Sequence, residues 1–125
     1  MKALVVDDSS TMRSILRMTL RGAGFEVVEA GNGMEALDRL KNSGQVAVAL
    51  VDWNMPVMNG FEFLCAARIN HAFDDTKIVM VTTETEIAQV KAALNQGANE
   101  YIMKPFTRDA VIEKMQLLGL LPQAV

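Results

Sequence analysis

Leu4-Val5-Val6-Asp7-Asp8 and Val46-Ala47-Val48-Ala49-Leu50-Val51-Asp52 are the two stretches that decide the reading of this chain. Each is a short apolar run, rich in β-branched residues, that ends in acid. Runs of this kind mark strands buried on both faces of a sheet. If the two strands are parallel neighbours, Asp7, Asp8 and Asp52 converge at the C-terminal edge of the sheet, where open α/β sheets bind ligands. Three carboxylates in one crevice repel one another and raise each other's pKa unless a cation joins them. A few hard oxygen donors, supplemented by water, suit Mg2+.

Outward from these runs the chain alternates strand-like and helix-like segments. Strands are expected at Lys2–Asp7, Phe25–Glu29, Val46–Asp52, Lys77–Thr82 and Glu100–Met103. The first helix should bury Met12, Ile15, Leu16, Thr19 and Leu20, with Ser10 as its N-cap and Gly22 and Gly24 at its end. Asn32-x-x-Glu35 and Asn59-x-x-Glu62 open the second and third helices with capping-box spacing. The second should bury Ala36, Leu37 and Leu40. The fourth should bury Ile87, Val90 and Leu94 and stop at Gly97. The fifth begins near Thr107, uses Val111, Ile112, Met115 and Leu118, and stops at Gly119. Five strands alternating with five helices imply an α/β fold, a doubly wound parallel five-stranded sheet of (βα)5 form. The flavodoxin-like strand order 2-1-3-4-5 sets the first and third strands side by side. That order is borrowed from known folds of this type rather than derived from these residues.

Composition narrows the class. The chain has 125 residues, half of them hydrophobic, which fits one domain with a sizeable core. No apolar run approaches the ~20 residues a membrane-spanning helix needs, and no signal peptide opens the chain. The single cysteine, Cys65, excludes an internal disulfide, fits a reducing compartment and reads as a half-buried helix residue. A net charge of −3 without a basic tract argues against nucleic-acid binding. A cytoplasmic protein with no nucleic-acid or membrane partner is expected.

Three further segments fall at strand ends or in the loops after them. Thr82 and Thr83 close the fourth strand; ordinary β-propensity explains them, but a hydroxyl there could also bind a phosphate oxygen. Lys104-Pro105 follows the fifth strand and would bring one cation to the acidic cluster. Pro56 and Asn59-Gly60 shape the loop after Asp52. His71, the only histidine, lies in a polar stretch and reads as an exposed loop residue. The sequence offers no Cys/His metal set, no glycine-rich phosphate loop and no Ser-His-Asp candidate.

The ordered set Asp7-Asp8, Asp52, Met55-Pro56 to Gly60, Thr82 and Lys104-Pro105 resembles the receiver domains of two-component response regulators over essentially the whole chain. Asp52-Trp53-Asn54-Met55-Pro56, Glu84, Tyr101 and Lys104-Pro105-Phe106-Thr107 resemble the chemotaxis receivers in particular. The resemblance implies that Asp52 accepts a phosphoryl group from a phosphohistidine on a histidine kinase. It implies Mg2+ ligated by Asp8, Asp52 and the backbone carbonyl of Asn54, with Asp7 acting mainly through water. Lys104 and Thr82 would contact the phosphoryl group, and Lys104-Pro105 would be a cis peptide. Thr82 and Tyr101 would form the switch, and Asn54 and Glu84 would set a phosphate lifetime of seconds to minutes. Glu86, Val90, Lys91, Leu94, Ala98, Tyr101 and Lys114 would line the output face. Thr83 departs from the alanine or glycine many receivers carry there, and its bulk is expected to slow access to Asp52.

The expectation is therefore a single, monomeric receiver domain over 1–125 with no output domain, not an enzyme, signalling to a flagellar motor switch protein. A phosphorelay intermediate serving a histidine phosphotransfer protein, and a receiver cut from a longer regulator, are the alternatives. An aspartate-nucleophile phosphatase would space its two aspartates one residue apart, whereas Asp7 and Asp8 are adjacent. A flavin carrier would want a richer phosphate loop than Ser9-Ser10-Thr11.

Overall fold

The computed structural model describes residues 1–123, apart from the side chain of Glu84. Five parallel strands form one sheet: β1 Lys2–Val6, β2 Glu26–Ala30, β3 Val48–Asp52, β4 Lys77–Thr82 and β5 Glu100–Met103. Their spatial order is β2-β1-β3-β4-β5, the doubly wound arrangement expected. The α-helices between and after them are α1 Ser10–Gly22, α2 Gly33–Asn42, α3 Gly60–Ile69, α4 Val90–Asn95 and α5 Arg108–Leu117.

The sheet has a helical layer on each face because side chains alternate along every strand. Leu4, Val6, Ala49, Val51, Ile78 and Met80 face α2 and α3, and pack with Ala36, Leu40, Phe63 and Leu64. Ala3, Val5, Val48, Leu50, Val79 and Val81 face the other way, against Leu16 and Leu20 of α1 and Val111 and Met115 of α5. Both sets are almost wholly withdrawn from water. This double burial explains why the strands read as continuous apolar runs instead of alternating ones.

Several local expectations shift. Ser9, not Ser10, caps α1: its hydroxyl accepts from the Met12 amide at 3.2 Å. The Asp7 side chain bends the chain into that cap by accepting from the Ser9 amide at 2.9 Å, which places Ser10 inside the first turn. The buried stripe of α1 is narrower than expected, and Ile15 is largely exposed. Asn59 and Glu62 form a reciprocal capping box on α3. At α2, Asn32 accepts from the Glu35 amide, but the Glu35 carboxylate reaches back to the Gly31 amide instead of that of Asn32.

The segment before α4 deviates most. Glu84–Gln89 is a 3-10 helix, and α4 proper is only Val90–Asn95. A 3-10 helix turns about 120° per residue against about 100° in an α-helix, so the apolar face slips in phase between them. Ala93 is consequently buried where Leu94 was expected, and Leu94 is exposed. A second 3-10 turn, His71–Phe73, replaces the expected loop, with the His71 side chain in solvent.

Arg68, at the end of α3, ties this side of the molecule together. Its guanidinium donates to the carbonyls of Gly97 (3.0 Å), Phe73 (2.9 Å) and Thr76 (2.8 Å) and to Oδ1 of Asn99 (2.9 Å). No helix among the described residues is long and apolar enough to cross a membrane.

Candidate functional site

β1 and β3 are hydrogen-bonded neighbours, with Val6 in register with Val51. The C-terminal ends of the two strands therefore meet at one edge. Asp7, Asp8 and Asp52 each offer a carboxylate oxygen, and the three lie within 4.8 Å of one another. Asp7 and Asp52 are buried, while Asp8 is exposed, so the cluster has two fixed walls and one side open to water.

Asp7 is held from every side. Its amide donates to the Ala30 carbonyl (3.1 Å), its carbonyl accepts from Arg13 (2.7 Å), and one carboxylate oxygen accepts from the Ser9 amide. Asp52 ends β3, whose chain continues into a tight loop. The Trp53 amide donates to the Val81 carbonyl, and the Gly60 amide returns to the Trp53 carbonyl at 2.9 Å. Gly60 approaches so closely that a Cβ there would run into the Asp52 carbonyl oxygen. Only glycine lets α3 begin at this distance.

Within that loop the Met58 amide donates to the Pro56 carbonyl at 2.7 Å, around Val57 at φ 70°. This is the rare, strained hand of the γ-turn, here imposed on a β-branched residue whose side chain is 80 % exposed. The Gly33 amide donates to the Met58 carbonyl at 3.0 Å, so the start of α2 braces the same loop.

Lys104 supplies the cation. Its Nζ lies 2.9 Å from Oδ1 of Asp52 and 3.4 Å from Oδ2 of Asp7. The Lys104-Pro105 bond is cis, and the Lys104 amide donates to the Thr82 carbonyl at 2.6 Å. Burial pushes the Asp52 carboxyl up to about 6, and Asp7 and Asp8 add to the rise, against the opposing bond and charge of Lys104. Burial works to lower the Lys104 pKa, but the bond and charge of Asp52, with Asp7 behind it, leave it raised. Lys104 thus only partly offsets the rise at Asp52, while Asp52 and Asp7 hold Lys104 in its charged form.

The other expected site residues fall around this centre. Thr82 is fully buried at the end of β4, one residue beyond Val81, the register partner of Asp52; its hydroxyl donates to the Thr83 carbonyl at a long 3.3 Å. Asn54 is exposed in the loop, and the Glu84 side chain lies outside the described residues. Tyr101 is half-buried at the margin of the core, with Lys114 Nζ 5.0 Å from its ring centroid and paired to Glu100. On the expected output face Lys91 and Leu94 are exposed, but Glu86, Val90 and Ala98 are buried in this conformation. Trp53 packs beside Phe61 with centroids 5.7 Å apart.

Sequence reasoning missed three contributors. Arg13, which lies off the apolar stripe of α1, holds the Asp7 carbonyl. Ser9 was passed over for its neighbour. Thr83-x-x-Glu86 carries the same capping-box signature recognised at Asn59, and in the structure the Glu86 carboxylate accepts from the Thr83 amide at 3.0 Å.

An acidic trio at the edge of a 2-1-3-4-5 sheet, facing a lysine on a cis peptide, defines a class of signalling domain, and comparison with known proteins gives the same class. Residues 3–116 match the response regulator receiver domain, and the chain belongs to that family, a family of signalling proteins rather than enzymes. More particularly, it is 49% identical over 117 residues to a chemotaxis protein CheY homolog of Campylobacter jejuni, spanning 93% of this chain and 90% of that one. It is 45% identical over 119 residues to chemotaxis protein CheY1 of Helicobacter pylori, spanning 94% and 96%. Among solved structures, chemotaxis protein CheY4 of Vibrio cholerae superposes with a TM-score of 0.86 at 38% identity, covering 93% of this chain and 96% of that one.

Proposed function

We propose that the chain is a chemotaxis receiver in which Asp52 is the phosphoacceptor. The observation that carries this reading is the Lys104 ammonium 2.9 Å from Asp52 inside the acidic trio. A carboxylate so held is oriented as a nucleophile, with a cation ready for the charge that arrives. In the reaction an Asp52 oxygen attacks phosphorus, the nitrogen–phosphorus bond of the donor phosphohistidine breaks, and its electron pair returns to the imidazole. Such transfers depend on positioning and charge neutralisation.

The donor set fits Mg2+: all oxygen, three carboxylates, one side open to water. Asp7, Asp8 and Asp52, with the Asn54 carbonyl, would hold the ion, which would neutralise the transferring oxygens. Lys104 then shifts from the carboxylate to the phosphoryl oxygens, and Thr82 gives its hydroxyl to them. Asn54 and Glu84 set the lifetime of the product. Tyr101 turns inward, and the exposed surface of α4, β5 and α5 changes its partner affinity. The donor is a histidine kinase and the target a flagellar motor switch protein; the alternative target is a phosphotransfer protein. The names of the Campylobacter and Helicobacter relatives support the chemotaxis assignment, and a cytoplasmic location follows from it.

The test is labelling by acetyl phosphate with Mg2+. Wild type takes up one phosphoryl group and Asp52→Asn none. Labelling of the Asn variant at another residue would refute the assignment.

A further inference from the structure

The Glu86 carboxylate is buried without being satisfied. Oε1 accepts two hydrogen bonds, from the Thr83 amide at 3.0 Å and the Thr83 hydroxyl at 2.7 Å. Oε2 is buried with no partner among the described residues. Buried polar groups are nearly always bonded, and an orphaned carboxylate oxygen is among the costliest exceptions. The carboxylate would be fully hydrated if it swung out of this pocket, so the Thr83 donors are what keep it in.

Thr83 adjoins the one residue of this segment placed to feel a change at Asp52. Thr82 follows Val81, the register partner of Asp52, and its hydroxyl has only a long bond to the Thr83 carbonyl. A phosphoryl group on Asp52 would bring about two negative charges and strong acceptor oxygens to that edge. The Thr82 hydroxyl would gain a better partner, and the Thr82–Thr83 peptide would be drawn after it. Moving Thr83 separates its amide and hydroxyl from Glu86.

We infer that Thr83 and Glu86 form a latch joining the phosphoacceptor edge to the start of α4. Closed, it buries the Glu86 carboxylate; opened by a phosphoryl group, it delivers a negative charge to the surface at Glu84–Gln89. Thr83, at odds with the small residue expected there, acquires a role as the donor pair of the latch. Glu86 is a positioning residue, since it acts through Thr83. The inference rests on Asp52 as the acceptor.

The test uses the full chain, Mg2+ and beryllofluoride as phosphoryl mimic, with two readouts: Trp53 fluorescence for binding and hydrogen exchange of the amides of residues 83–90. In wild type, beryllofluoride should speed exchange at Thr83 and Glu86, whose amide donates to the Thr83 carbonyl. In Thr83→Val the hydroxyl is lost, so exchange should already be fast without the mimic. The variant should also bind beryllofluoride about fivefold more tightly, the ratio one net hydrogen bond is worth. Glu86→Gln, which keeps an acceptor for Thr83 and gains a donor, should lie between the two, and guards against a folding defect in the first variant. Normal binding with unchanged exchange at 83 and 86 in wild type would overturn the latch alone. Absence of any Trp53 response in wild type would overturn the acceptor reading and the latch with it.

Discussion

Asp52 should destabilise the fold that carries it, and the size of the effect follows from its surroundings. Its carboxyl ordinarily titrates near 3.8 and is pushed up to about 6 in the folded chain, by burial first and by Asp7 and Asp8 after it. The folded state therefore holds this proton more tightly than the unfolded state does. The stability it contributes is fully present below 3.8 and is lost as pH rises through about 6. Across that window the loss comes to about 3 kcal/mol, a large share of the stability of a domain of this size. Asp52→Asn keeps the shape and an acceptor for Lys104 but has nothing to ionise. In EDTA at neutral pH the variant should be more stable by about 3 kcal/mol, roughly 10 °C in Tm. Urea unfolding followed through Trp53, repeated from about pH 4 to about pH 8, reads this directly. The gap should nearly vanish at the acid end. Saturating Mg2+ should then rescue wild type alone, by about 2.7 kcal/mol at a hundredfold excess over Kd. Equal stability of the two proteins across the whole range in EDTA, or a gap that grows toward acid, would refute the reasoning.

Lys104→Met removes both the bond and the charge that oppose the Asp52 shift, so the Asp52 pKa should climb further and acetyl phosphate labelling should slow by about 10²–10³; an unchanged rate would contradict the role given to Lys104. Gly60→Ala should cost about 1–3 kcal/mol in urea unfolding, because its Cβ meets the rigid Asp52 carbonyl and lies 3.1 Å from Met80 Cε. Val57→Asn should instead stabilise, by about 1 kcal/mol, since asparagine accepts a positive φ more readily and the exposed valine side chain gives up little packing; a loss of stability would show that Val57 is not strained.

The fold was legible because its strands are buried on both faces. Leu4-Val5-Val6 and Ala49-Leu50-Val51 carry no polar interruption, so their ends, and the acids on those ends, were placed within a residue or two. The trio and Lys104 followed from strand order, which the residues themselves do not encode; it was borrowed. What stayed hidden depends on phase and backbone geometry. Leu94 and Ala93 exchanged roles because a 3-10 segment broke the helical period. Ser9 displaced Ser10 because a tertiary feature, the Asp7 side chain, chose the cap. The burial of Glu86 could have been suspected from Thr83-x-x-Glu86, a spacing recognised elsewhere in the chain. The positive φ of Val57 has no signal in a residue type that avoids it.

The Arg68 clamp has a mechanical consequence. Gly97, just beyond the end of α4, is bonded to a guanidinium that also grips Phe73, Thr76 and Asn99, and Asn99 in turn pairs with Ile78 of β4 through both its amide and its side chain. The far end of α4 is riveted to the sheet, while the 3-10 turn that leads into its near end is closed by the bonds between Thr83 and Glu86. A rod fixed at one end and freed at the other cannot slide; it can only swing about the fixed point. If the latch between Thr83 and Glu86 opens, Arg68 would be the fulcrum, and a displacement at Thr83 would become a tilt of α4 that carries the exposed Lys91 and Leu94 through an arc.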